Sequence, residues 1–417
     1  MGKPAERFHD PRMRGFRRRW PLDEVVALID ARVGRLESES VSLLEAAGRV
    51  LAEAVTADAS VPPFDRAAMD GYALRGEESF GADSYTPITF RLIGAARPGR
   101  AFAGTIGPRE AIEITTGAPM PAGADTVVPA EATQTDGHLV SVLEATPPGR
   151  HVSRSGEDIE PGTVVLPANR VLRPQDLGIL SALGRSSVTV VRCPNVAVIV
   201  TGDELLPAGT PARDSQIADM NSVMLCALIA RDGGSSQVIG PLADDRDLLR
   251  ETIVQAGGRF DALLVSGGSS TGPEDHAPGL VAELGELLAH GVALRPASPT
   301  GVGFLGEVPV LLAPGNPVSC LCAYDLIGGR IVRRLAGRPP EWPYRPVERP
   351  LARKLTSAVG RVDYARVRLA EGCAEPLAVS GASILSSTTR ADGFVIVPAD
   401  LEGYPAGAMV TVWLYDL

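Results

Sequence analysis

The chain has 417 residues and a mass of 43.6 kDa, too long for one ordinary core, so roughly two to four domains are expected. An apolar fraction of 45% with 22% charged residues excludes the disordered and fibrous classes, and 45 glycines with 35 prolines imply many turns and much β structure. A net charge of −10 and a pI near 5.2 argue against a nucleic-acid binder, whose surface is basic.

The first nineteen residues run against that charge, with Lys3, Arg7, Arg12, Arg14, Arg17, Arg18 and Arg19 facing only Glu6 and Asp10. They read as a basic arm. A twin-arginine export signal needs an apolar core after the arginines, and Pro21-Leu22-Asp23-Glu24 follows Trp20 instead, so that reading is rejected. No run approaches the roughly 18 apolar residues that span a bilayer, so no membrane partner is expected.

Residues 20–55 read as helix, from Leu22, Val25, Val26 and Leu28 and then Leu43, Leu44, Ala47, Val50 and Leu51. Pro62-Pro63 breaks the pattern. Residues 61–149 are short alternating runs with frequent Gly and Pro, such as 89–93 and 138–142, and suggest a small β domain. Pro174 and Leu177 to Leu183 signal a further helix.

From Pro194 the texture changes. Apolar strands at 196–200, 237–239 and 262–266 alternate with helical patterns at 222–230, 246–255, 279–289 and 318–335. That alternation predicts a parallel sheet covered on both faces. After Pro339-Pro340 the chain to Leu417 reads as strands and turns. The expected division is therefore 20–60 with 150–193, an inserted β domain at 61–149, an α/β domain at 194–340, and a final β domain at 341–417.

Five cysteines, at 193, 226, 320, 322 and 373, form no C-x-x-C. They read as reduced thiols of a cytoplasmic protein. The five histidines show no ligand spacing, which leaves no basis for a zinc site. Neither a G-x-x-x-x-G-K-[ST] loop nor a G-x-G-x-x-G helix start occurs, so neither that nucleotide loop nor a dinucleotide site is indicated.

The chemistry concentrates where two apolar runs empty into glycine turns. One runs from Ala262 through Ser266 into Gly267-Gly268-Ser269-Ser270-Thr271-Gly272 and on to Asp275. The other runs from Val308 through Ala313 into Pro314-Gly315-Asn316-Pro317. A strand that ends in a glycine turn before a helix offers free N–H groups and the positive end of a dipole, which suits phosphate. Glu204, Asp244 and Asp275 each follow a predicted strand. Carboxylates converging on one sheet edge repel unless a hard cation such as Mg2+ sits among them. Taken singly, each acid is also an ordinary cap or turn residue.

Further motifs add to these in order. Phe64-Asp65-Arg66-Ala67-Ala68-Met69-Asp70-Gly71-Tyr72-Ala73 resembles the signature P-x-F-D-x-S-A-M-D-G-Y-A, with Ala67 in place of serine. Thr116-Gly-Ala-Pro, Gly156-Glu-Asp158, Thr201-Gly-Asp-Glu204, Asp219-x-Asn221 and the two glycine turns follow at matching intervals. From about residue 20 to 417 the chain resembles the molybdopterin molybdenumtransferases, the MoeA type related to the gephyrin E domain.

That resemblance implies a multidomain α/β plus β architecture. Its centre is a three-layer α/β domain of the molybdopterin-binding type with a parallel-rich sheet. A β-rich insertion and a β-barrel-like C-terminal domain complete it. An elongated homodimer is implied, with the cleft shared between the α/β domain of one subunit and the N-terminal domains of the other. The implied reaction is adenylyl-molybdopterin plus molybdate giving molybdenum cofactor and AMP, with Mg2+ required.

Asp70, Thr116, Asp158, Glu204, Asp244 and Asp275 match catalytic positions, the last three also as metal ligands. Gly267, Gly268, Ser270, Gly272, Arg295, Pro314, Gly315, Asn316 and Ser387 match substrate- and phosphate-binding positions. A molybdopterin adenylyltransferase or apo-molybdoenzymes are the protein partners this implies.

The chain departs from the family in its cations. Arg295-Pro296-Ala297-Ser298-Pro299 stands where a basic P-G-K-P is usual, Gly291 where a second lysine occurs, and Ser153 where an arginine occurs. Each lost charge-assisted hydrogen bond is worth roughly 1–3 kcal/mol. Arg154 and Arg390 are the nearby candidates to compensate. Two readings follow: a working metal-insertion enzyme with a rearranged anion pocket, or a molybdopterin-binding paralogue acting as carrier or scaffold.

Overall fold

The computed structural model describes residues 16, 18–269, 275–378 and 381–415. They fall into two compact units. One comprises residues 1–39, 48–50 and 189–417, and the other residues 40–47 and 51–188.

The first helix, α1 (Leu22–Arg32), carries Asp23 and Glu24 in its first turn and Arg32 in its last, as the helix dipole favours. It is far shorter than the helix expected over 20–55. Val33 is already extended, and Ser38–Ser42 is strand. Leu44 in the second apolar cluster is 95% exposed. That cluster's spacing matched a helix, but its residues do not share a buried face.

The second unit is built on a six-stranded sheet. Its strands are β1 (Gly71–Leu74), β2 (Ile88–Ala96), β3 (Glu110–Ile114), β4 (Thr126–Pro129), β5 (Thr133–Asp136) and β6 (Leu139–Val142), in the order β4-β1-β3-β2-β6-β5. Only β2 and β3 pair in parallel; the other pairs are antiparallel. One face buries Ile106, Ile112, Ile114 and Val127, and the other Leu74, Phe90, Val128 and Val140. The helix α2 (Pro174–Ala182) starts with proline in its first turn, where a missing N–H is harmless.

In the first unit, β7 (Asn195–Thr201), α3 (Asn221–Arg231), β8 (Ser235–Leu242), α4 (Arg246–Gly257), β9 (Ala262–Ser266) and α5 (Ala277–Leu284) alternate as the sequence predicts. Then come β10 (Glu286–His290), β11 (Gly301–Leu305), β12 (Val308–Ala313) and α6 (Pro317–Ala323). A π-helical turn at Tyr324–Gly328 joins α6 to α7 (Gly329–Leu335).

The strand order is β8-β7-β9-β12-β11-β10. The first four are mutually parallel, while β11 and β10 add on antiparallel. The sheet is therefore parallel-rich rather than wholly parallel. Alternate residues of each strand face opposite ways. Val196, Val198 and Val200 pack with α1, α3, α6 and α7, and Ala197 and Ile199 pack with α4 and α5.

The expected helix at 279–289 stops at Leu284. A side chain at Gly285 would meet the Phe304 carbonyl at 2.1 Å, so the chain passes close to β11 there. It then pairs with β11 as a strand.

Past 340, β13 (Arg345–Pro350), β14 (Val362–Ala370), β15 (Cys373–Ala378), β16 (Gly393–Val397) and β17 (Met409–Leu414) form the last sheet. The order is β14-β16-β17-β13, with β15 beside β14. Leu294–Arg295 pairs in parallel with the start of β14. This is the multidomain α/β plus β class that the sequence implied.

Candidate functional site

The parallel strands β7, β8, β9 and β12 all run out toward one edge, and a cleft of about 580 Å3 opens beyond them. This is where open α/β sheets bind ligands. Glu204, Asp244, Asp275, Gly267, Gly268, Gly315 and Asn316 all line it, so seven of the residues predicted from sequence meet in one place.

The glycine turn needs its glycines. Gly267 has φ +99°, and a side chain there would meet the Thr201 carbonyl at 2.2 Å. The turn therefore packs directly on the end of β7. Ser269, buried beside it, donates to the Ala313 carbonyl at 3.1 Å and ties the turn to β12.

The three acids are not equivalent. Asp244 accepts from Thr201 Oγ1 at 2.6 Å and from the Asp203 N–H at 3.3 Å. Asp203 in turn accepts from the Asp244 N–H at 3.1 Å. Asp244 thus braces the loop that carries Glu204. Glu204 is exposed and Asp275 half-buried. No three His, Cys, Asp or Glu side chains come together at metal-ligand spacing among the described residues. The expectation of a ready three-carboxylate cage is corrected accordingly: the acids share the cleft but do not surround one point.

Mg2+ does not require such a cage, since it takes one or two carboxylates and completes its shell with water and substrate phosphates. The hard oxygen donors of Glu204 and Asp275 suit it.

Three predicted residues of the first unit, Arg295, Ser387 and Pro314, do not line the cleft. Arg295 donates Nε to Asp363 Oδ1 at 2.8 Å and its second nitrogen to Oδ2, and Asp363 is fully buried. This bidentate pair holds Leu294–Arg295 against β14, so Arg295 is a structural cation and does not line the cleft. Ser387 is 4% exposed, accepts from Arg366 Nε at 3.2 Å and donates to the Ile384 carbonyl at 2.6 Å. Ser383, four residues earlier, lines the cleft and donates to Asn316 Oδ1 at 2.8 Å. Pro314 is buried just before the lining residues. Ser270 and Gly272 lie outside the described residues.

In the second unit, Asp70 Oδ1 accepts from both the N–H and the hydroxyl of Thr116, each at 2.7 Å. These two bonds hold the Asp70 carboxyl below its ordinary value of 3.8. Asp65 accepts from the Ser155 N–H at 2.8 Å and from Arg154 at 3.1 Å. Asp158, exposed, donates its N–H to the Val61 carbonyl. The 63–73 signature, Thr116 and the 151–158 segment therefore form one loop cluster, and Arg154 is committed within it. Arg390 is exposed, with Nε donated to the Ser386 carbonyl at 3.0 Å.

Positions 291 and 298 both lie against the segment that precedes α1. Trp20 pairs with Val292, donating its N–H to the Gly291 carbonyl at 2.8 Å. The ring of Phe16 covers Gly291, where a side chain would meet it at 2.4 Å, and φ is +79°. A lysine has no room there. Arg19 donates Nε to Ser298 Oγ at 3.1 Å, so the basic arm places a guanidinium there.

Sequence reasoning passed over Thr201, Asp219, Asn221, Ser269 and Ser383. Thr201, Ser269, Asp219 and Asn221 stood in quoted motifs but were given no role of their own.

Comparison with known proteins shows the family. Residues 20–184 match the "MoeA N-terminal region (domain I and II)", 197–334 the "Probable molybdopterin binding domain", and 348–415 the "MoeA C-terminal region (domain IV)". The molybdopterin molybdenumtransferase 2 of Mycobacterium tuberculosis is 35% identical over 388 residues, covering 90% of this chain and 94% of the relative. The molybdopterin molybdenumtransferase of Bacillus subtilis is 31% identical over 404 residues, covering 94% of each. Two crystal structures of the MoeA protein from Pyrococcus horikoshii superpose with TM-scores of 0.82 and 0.78 at 32% and 31% identity, covering 96% and 95% of this chain and 100% of theirs. The chain belongs to the molybdopterin molybdenumtransferase (MoeA) family, and it is an enzyme of molybdenum cofactor biosynthesis of that type.

Proposed function

We propose that this enzyme inserts molybdate into adenylyl-molybdopterin and releases AMP, with Mg2+ required. The observation that carries the reading is the single cleft in which the Gly267-Gly268 turn meets Glu204, Asp244 and Asp275. The turn's backbone offers donors to a phosphate at a strand-to-helix junction. Asp244 fixes the Glu204 loop through Thr201 and Asp203. Glu204 and Asp275 supply the oxygens that would hold Mg2+. When bound, that ion neutralises the charge of the phosphoanhydride being cleaved.

Asp70 and Thr116 act as a bonded pair, the hydroxyl keeping the carboxylate oriented and ionised. Retention of the six acid and threonine positions supports the catalytic reading over that of a carrier, and Arg19 donates to Ser298, where the resemblance implies a lysine. The same reading takes the active form to be a cytoplasmic homodimer fed by a molybdopterin adenylyltransferase, with apo-molybdoenzymes as acceptors of the product. Family membership supports this, and the five free cysteines fit a reducing compartment.

The test is turnover. Purified protein given adenylyl-molybdopterin, Mg2+ and molybdate should release AMP, and EDTA should stop it. A protein that binds the pterin but releases no AMP would be the carrier instead.

A further inference from the structure

Asn221 opens α3 and lines the cleft. Its amide nitrogen donates to Ser266 Oγ at 2.8 Å and to the Gly315 carbonyl at 2.7 Å. Those acceptors follow or end β9 and β12, which are neighbouring parallel strands. One side chain thus braces two adjacent strand-end loops. The Gly315 carbonyl can only accept, which fixes the amide nitrogen toward it and the oxygen away.

Both amide hydrogens are committed by this brace. The oxygen, Oδ1, is buried and has no hydrogen-bond partner, in a residue only 7% exposed. Native interiors rarely leave an acceptor so. Asn221 lines the cleft, so a ligand seated there is the candidate donor.

The chemistry of that donor is restricted. An ionised phosphate presents acceptor oxygens and cannot satisfy an acceptor. The start of α3 is already capped, since Asp219 Oδ1 accepts from the N–H groups of Asn221 and Ser222 at 2.9 and 3.1 Å. The adjoining lining is apolar: Leu205, Ile217 and Met220, the last two 45% and 40% exposed. A flat ring with an N–H edge fits both features.

We propose that Asn221 Oδ1 accepts a hydrogen bond from the N–H edge of a nitrogen heterocycle, while the Gly267-Gly268 turn takes the ligand's phosphate. The inference rests on the reading of this cleft as a pterin-phosphate site, and it names the residue that recognises the ring.

The experiment titrates wild type and Asn221→Ala separately with pterin (2-amino-4-oxopteridine) and with pyrophosphate. Pterin binding should weaken at least tenfold in the variant, and pyrophosphate binding less than threefold. Equal weakening of both would reduce Asn221 to a brace and overturn the proposal, as would no change in either.

Should the variant not fold, the wild type still decides. The Asn221 side-chain carbonyl resonance should shift on adding pterin and not on adding pyrophosphate; a resonance that ignores pterin overturns the proposal. If wild type releases AMP while Asn221→Ala binds pterin normally, this inference alone falls. If wild type binds neither probe and releases no AMP, the pterin-phosphate reading falls with it.

Discussion

At the scale of single residues, Glu204 and Asp275 carry the heaviest expectation. Glu204→Gln and Asp275→Asn should abolish Mg2+-dependent AMP release while thermal melting stays near that of wild type. A collapse in melting would make those acids structural. Thr116→Ala should be milder, since it removes one exposed hydroxyl bond and leaves the backbone bond to Asp70 in place. It should also raise the Asp70 carboxyl toward its ordinary value of 3.8, as followed by NMR titration. The sign follows from the lowered value. The Thr116–Asp70 contact stabilises the fold above the ordinary carboxylate range and is lost as pH falls through the depressed value. Burial pushes the Cys320 thiol up to about 12, so Cys320 should resist alkylation at pH 8 until the protein is unfolded.

At the scale of elements, two groups of contacts are open to test. Asp232 is fully buried between Arg231 at 3.0 Å and Arg333 at 2.8 Å, and Arg333 is 3% exposed. Asp232→Ala leaves Arg333 uncompensated and should cost about 3–5 kcal/mol in urea unfolding. Gly291→Lys should expel Phe16 and loosen the arm along Gly291–Ala293, read as faster tryptic cleavage within the first twenty residues. Unchanged cleavage would mean that the arm does not rest on Gly291.

The βα alternation from 195 was legible because β7 and β9 are unbroken apolar runs and α3 and α4 bury residues at helical spacing, Leu225 and Ile229 in one and Leu249 and Ile253 in the other. Residues 33–55 were not. The spacing of Leu43, Leu44, Ala47 and Val50 imitates a helix, and only packing reveals that Leu44 faces solvent. β10 was hidden for a different reason, since Glu286-Leu287-Leu288-Ala289 suits either state and the close pass at Gly285 decides it.

At the scale of the whole molecule, the sequence identifies which strand ends matter more readily than which side chains face the cleft. Glu204, Asp244, Asp275 and the glycine turns were found because glycine and acid clusters after apolar runs have a physical reason to exist. Arg295 and Ser387 misled because a charge or hydroxyl in the right order need not be free. Asp363 claims the first and Arg366 the second, across distances in sequence that no local pattern reveals. Asn221 was quoted in a motif but given no role, because that role depends on two segments lying 45 and 94 residues away.

The central claim is that the glycine turn and the acids of one sheet edge hold the phosphate and its ion together. A crystal structure with AMP, molybdate and Mg2+ tests it most directly. The AMP phosphate should lie within hydrogen-bond distance of the Gly267-Gly268 backbone, with Mg2+ bound to Glu204 or Asp275. AMP seated away from this cleft, or an ion bound with no contact to either acid, would contradict it.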